Sequence, residues 1–173
     1  MTGRGLEQRM TPCLVPYDSP LGQLEGGTNM VVIEGDAVQQ IVLRGPGAGE
    51  GPTASAVMAD VCDIARGSRL PVFGKPADLL QHAPAARSAS AAPYYLRMDL
   101  HDKPGAMAKV AAALGEAGVS IDRMRQYGHD NEAAPVLFVT HKTTHSSLTE
   151  ALQAIAKTGV VIGEPVALRI EHL

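Results

Sequence analysis

From Tyr94 to the C-terminus, the hydrophobic pattern alternates between a period of two and a period of three to four. The order of these changes restricts the fold more than any other feature of the chain. In "YYLRMDL", Tyr94, Leu96, Met98 and Leu100 share one face, as in a half-buried strand. "DKPGAMAKVAAALGEAG" then puts Pro104 at a helix start, sets Met107, Val110, Ala111 and Leu114 on one stripe, and stops at Gly118. "VSIDRMRQY" and "PVLFVTH" read as two strands joined by "GHDNEAA", where Gly128, Asp130 and Asn131 supply turn chemistry. "SLTE", Ser147 to Glu150, has capping-box spacing and opens a helix with Leu148, Leu152 and Ile155 inward, ended by Gly159. Last, Val166, Leu168 and Ile170 alternate with Ala167, Arg169 and Glu171. The order is therefore β-α-β-β-α-β.

That order specifies a split βαβ, or ferredoxin-like, sandwich: a four-stranded antiparallel sheet with both helices on one face. Its other face and its edges are left free to meet a second copy. Upstream, "HAPAARSASAAP" has the Ala/Pro/Ser composition of a linker. It divides the chain into a first part at 1–80, a linker at 81–93 and a second part at 94–173. In the first part, "NMVVIEG" and "AVQQIVLRG" flank Gly35-Asp36, a pair suited to a tight hairpin turn. Four glycines follow at Gly45, Gly47, Gly49 and Gly51. After them Ala54, Val57, Met58, Val61, Ile64 and Ala65 recur at helical steps, up to a C-cap at Gly67. The expected class is α+β, with a β-hairpin and helix followed by the βαββαβ sandwich.

Glycines in front of a helix let a backbone approach a ligand, and they equally suit a helix-entry turn with no ligand. The preceding strand belongs to a hairpin and not to a parallel βαβ unit, so the string is not a primary dinucleotide fingerprint. A net charge of -3 gives nucleic acid no basic footprint. No apolar run is long enough for a membrane span, and Cys13 and Cys62 lack metal or redox spacing, so a reducing, cytoplasmic setting is expected. His141 and His145 read as solvated histidines, and no metal site is expected.

Two stretches bear a family resemblance. "DLHDKPGAMAKVAAALGEAGVSIDRM", with its D-x-P-G turn and "AGVSI", resembles the opening of an ACT domain, a small-molecule regulatory module of amino-acid metabolism. "TPCLVPYDSPLGQLEGGTNMVVIEGD" followed by "GPGAGEGPTASAVMADVCDIARG" resembles the end of the catalytic domain of homoserine dehydrogenase. The resemblance implies an NAD(P)-dependent interconversion of L-homoserine and L-aspartate 4-semialdehyde on the route to threonine and methionine. It also implies that the nucleotide-binding half and the catalytic lysine of that enzyme are not in this sequence. None of Lys75, Lys103, Lys109, Lys142 and Lys157 takes that lysine's place. No catalytic residue is assigned, and the chain alone is expected to be inactive and to bind no cofactor.

By the same resemblance, Gly47, Ala48 and Gly49 belong to a loop that closes over the dinucleotide in the whole enzyme. The D-x-P-G turn, with Asp102 and Gly105, and Ser120 on the following strand match effector positions. Physically, Asp102 can cap the helix that Pro104 begins, or accept from the α-ammonium of a free amino acid whose carboxylate meets the helix N-terminus. Threonine is the first candidate effector, and the sandwich is expected to pair as a homodimer. A second reading is a non-catalytic ACT regulatory or dimerisation protein. A miscalled start or a decayed gene would give the same sequence.

Overall fold

A computed structural model describes residues 5–69, 71, 73–128 and 133–172. In chain order the elements are β1 (Cys13–Leu14), β2 (Thr28–Gly35), β3 (Gln39–Pro46), α1 (Glu50–Ala65), a 3-10 turn at Ala77–Leu79, β4 (Tyr94–His101), α2 (Ala106–Glu116), β5 (Ile121–Gln126), β6 (Ala133–Thr140), α3 (His145–Lys157) and β7 (Val161–Ile170). They divide into two compact units. One is Pro16–Pro84, and the other joins residues 5–15 to Ala85–His172.

In the first of these units, β2 and β3 pair antiparallel from Thr28↔Pro46 to Gly35↔Gln39. The hairpin turn is Asp36 to Val38, three residues instead of a tight Gly35-Asp36 turn. Gln39 closes it at φ 60, the left-handed position that a three-residue hairpin loop requires after its turn. α1 forms where the helical period predicts it, yet it contains no buried residue. Its Val57, Met58, Val61 and Ile64 are all exposed.

The second unit holds the core. The antiparallel order β7-β4-β6-β5 is the expected four-stranded sheet. Leu96 and Met98 of β4 and Val136 and Phe138 of β6 pack against Val110 and Leu114 of α2 and Leu148 and Ile155 of α3. Both helices therefore cover one face. β7 presents the opposite set of residues from the one its apolar alternation suggests. Ala167 lies opposite buried Leu96 and Arg169 opposite buried Tyr94, whereas Val166 and Leu168 lie opposite Arg97 and Tyr95. The uncovered face thus carries Val166 and Leu168 beside Tyr95, Leu137 and Val139. Asp130 and Asn131, read as turn residues, lie outside the described residues.

Two helix starts differ from the capping read in the sequence. α3 begins at His145, and its N-cap is Thr144, whose Oγ1 accepts from the Ser147 N–H at 3.1 Å. Ser147 is thus the donor in the cap and not the cap. "TTHSSLTE" offers several hydroxyls, and the one with extended backbone before the first turn takes the role. Thr144→Ala is expected to cost about 1 kcal/mol in urea denaturation, and Ser147→Ala less. Equal losses would contradict this assignment. The start of α2 is described with the site below.

Candidate functional site

The glycine string divides by role. Gly45 ends inside β3, Gly51 lies inside α1, and a Cβ at either would meet nothing. Gly47 and Gly49 are the constrained pair. A Cβ on Gly47 would run into the Asn29 side-chain amide, and Gly49 sits at φ 120, where L side chains are strained. Gly49 is the N-cap of α1 with no side-chain capping bond, and its carbonyl accepts from the Thr53 N–H at 3.1 Å. Glu50, in the first turn, sets a negative charge beside the helix N-terminus. The loop Gly47-Ala48-Gly49 is thus a bare, exposed backbone turn, and its helix dipole is already balanced by a carboxylate.

The D-x-P-G turn does not cap α2 through Asp102. The N-cap is Gly105, left-handed at φ 85 and ψ -5, and it makes no side-chain cap bond. The turn closes on its backbone, with the Ala106 N–H donating to the Lys103 carbonyl at 3.2 Å and the Lys103 N–H to the His101 carbonyl at 2.8 Å. Lys103, Pro104 and Gly105 put three residues between Asp102 and the helix, out of reach of the usual cap geometry. The Asp102 carboxylate is exposed and, among the described residues, without a hydrogen bond. Ser120 lies one residue before β5 and not within it, exposed, with its carbonyl accepting from the His141 N–H at 2.9 Å.

One copy of the chain does not bring these residues together. Ile121 pairs with Thr140, and Tyr95 with Val139, so Ser120 lies at the end of the sheet where β4 begins. His101 pairs with Ala133 at the other end, and Asp102 follows it. The eight residues of β4 separate the two.

No periodicity announces what happens at the opposite edge. β1 is a two-residue strand, too short for any periodicity, and it pairs parallel with β7 through Cys13↔Arg169 and Leu14↔Ile170. The stretch read as a linker is fastened as well: the Ala86 N–H donates to the Leu6 carbonyl at 2.8 Å, and Ala92 bridges Thr143. The Ser90 N–H donates to Glu7 at 3.0 Å and holds that carboxyl below the usual range, with Arg9 adding to the effect. Arg169 is buried, and its guanidinium donates to Glu171 at 2.5 Å and to the Ser90 carbonyl at 2.8 Å. Burial works against its charge, but Glu171 and Tyr94 outweigh it and hold the group above its ordinary value.

No helix among the described residues is long and apolar enough to cross a membrane. Residues 1–62 match the homoserine dehydrogenase family model and residues 94–160 the ACT domain model. The homoserine dehydrogenase of Pseudomonas aeruginosa is 34% identical over 181 residues, which cover 99% of this chain and 42% of that protein. For that of Mycobacterium leprae the identity is 38% over 174 residues, 95% of this chain and 39% of that protein. The crystal structure of a homoserine dehydrogenase from Thiobacillus denitrificans superposes with a TM-score of 0.84 at 31% identity, over 99% of this chain and 40% of that one. The chain therefore spans less than half the length of the curated relatives it matches.

Proposed function

We propose a function from the premise that this chain corresponds to a C-terminal part of homoserine dehydrogenase, the end of a catalytic domain followed by an ACT domain. It is the amino-acid-responsive portion of a cytoplasmic, NAD(P)-dependent enzyme that interconverts L-homoserine and L-aspartate 4-semialdehyde. The observation that carries the sensing role is the unspent carboxylate of Asp102 at the mouth of α2. Such a group can accept from an α-ammonium, while the amides that open α2 can receive the carboxylate of the same amino acid. Threonine is the first candidate.

The sheet supports a homodimer. β1 covers the β7 edge, while β5 is an exposed edge strand with unpaired backbone groups. Two β5 strands paired antiparallel about a two-fold axis would bring Ser120 of the partner subunit to the end of the sheet that carries Asp102 and Gly105. The effector site is then shared between subunits, which accounts for the separation of these residues in one chain.

When bound, NAD(P) supplies the hydride acceptor or donor. Gly47, Ala48 and Gly49 suit a close backbone approach to it, since two of the three lack a Cβ. The Glu50 carboxylate at the helix start disfavours the diphosphate, so this turn fits an uncharged part of the dinucleotide.

The test is thermal unfolding of the chain against a panel of free amino acids, with sedimentation in parallel. Threonine is expected to raise Tm and favour the dimer by mass action, by roughly 2.7 kcal/mol at a hundredfold excess over Kd. Since Asp102 caps nothing, Asp102→Ala is expected to keep the unliganded Tm and lose the response. If no amino acid moves Tm at millimolar concentration, the sensing role is wrong. The second reading, a non-catalytic ACT pairing module, would then stand, favoured by a core that lies wholly in the second unit.

A further inference from the structure

A cleft of about 360 Å³ lies between the N-terminal segment and the sheet, at the edge away from β5. Tyr94 and Arg169 line it from the sheet, both more than nine-tenths buried. Arg9 and Thr11 line it from the segment that precedes β1, and His145 from the start of α3. Pro12 and Ala167 add apolar wall.

Each of these polar side chains can donate a hydrogen bond, and among the described residues no carboxylate lines the cleft, although Glu7 and Glu171 pair with its arginines. Arg169 is spent on Glu171 and Ser90, its charge is matched by that carboxylate, and it serves as a fixed wall of the cleft. Among the described residues, the Thr11 hydroxyl and the His145 imidazole have no partner. Arg9 is tied to Glu7 and, at 3.5 Å, to Glu171, through a geometry that leaves part of its five-donor fork unused. A largely apolar cleft with unused donors at its mouth is complementary to one chemical class, a small organic acid with a short hydrocarbon body.

We propose that this cleft is a binding site for a small monocarboxylate, separate from the turn at Asp102. The carboxylate meets Arg9, Thr11 and His145, and the hydrocarbon body lies along Pro12 and Ala167. Occupancy would clamp the N-terminal segment onto the sheet, because the ligand touches both.

Butyrate is the probe, and butyramide, of similar shape and without charge, is the control. The readout is the His145 ring signal in the NMR spectrum of the full chain as each is titrated. A carboxylate that accepts from the imidazole changes the field at the ring, so butyrate is expected to shift the His145 signal saturably at millimolar concentration. Butyramide is expected not to shift it. Arg9→Gln should weaken butyrate binding about tenfold. Thr11→Val, which keeps the shape of the side chain and disturbs no ion pair, should weaken it by a smaller factor. Asp102→Ala should leave it unchanged, which separates this result from that of the amino-acid panel. A non-saturable response, an equal response to butyramide, or wild-type affinity in both Arg9→Gln and Thr11→Val would overturn the proposal.

Discussion

A preparation of these 173 residues alone is expected to reduce neither NAD nor NADP with homoserine, at any rate above the blank. Hydride transfer requires the nicotinamide and the substrate to be held together, with a group positioned to take the hydroxyl proton. A lysine with that task needs a desolvated setting or a charged neighbour that lowers its pKa. All five lysines of the chain, Lys75, Lys103, Lys109, Lys142 and Lys157, are exposed. The glycine turn is exposed backbone whose one side chain is the Ala48 methyl. Nicotinamide absorbance followed in protein free of host dehydrogenase is the measurement. Turnover above the blank would show that a base and a cofactor site exist in a polypeptide that spans less than half of its relatives.

The second large effect concerns stability, and it is expected to be confined to one unit. Phe138 is fully buried at the centre of β6, between the two helices and the neighbouring strands. Phe138→Ala is expected to cost about 3–5 kcal/mol, through lost transfer free energy and the cavity left behind. A domain of this size has roughly 5–15 kcal/mol in total, so the variant should unfold at a much lower urea concentration. Ile64→Ala on α1 removes a side chain that is 75% exposed, and should leave the midpoint of the second unit within about 0.5 kcal/mol of wild type. Circular dichroism in urea distinguishes the two variants. Equal losses would mean that α1 contributes to the core, contrary to its burial.

The sequence was most legible where burial is strictly periodic. Tyr94, Leu96, Met98 and Leu100 are all buried, as their alternation requires, and Val110 and Leu114 lie on the core stripe of α2. The alternation in β7 misleads because Arg169 is buried by specific partners and Val166 faces the open side. No hydrophobic scale anticipates a buried arginine whose place depends on Ser90 and Glu171. Capping was ambiguous for local reasons. Thr144 and Ser147 offer the same hydroxyl chemistry, and the conformation of Gly105 takes over the role that Asp102 could otherwise fill. The candidate site was legible as a set of residues and not as a place, because one copy of the chain sets Asp102 and Ser120 at opposite ends of the sheet. β1 could not be read at all, since two residues carry no period.

The short strand β1 changes where this protein can be cut. Cut inside the stretch read as a linker, a fragment beginning at Ala85 would keep the whole βαββαβ sandwich and lose residues 5–15. The β7 edge would then be open to unwanted strand pairing. Ser90 would lose Glu7, and Glu171 would lose Arg9 while still holding Arg169. The smallest self-contained piece of this half is therefore discontinuous in sequence. It needs residues 5–15 joined to Ala85–His172.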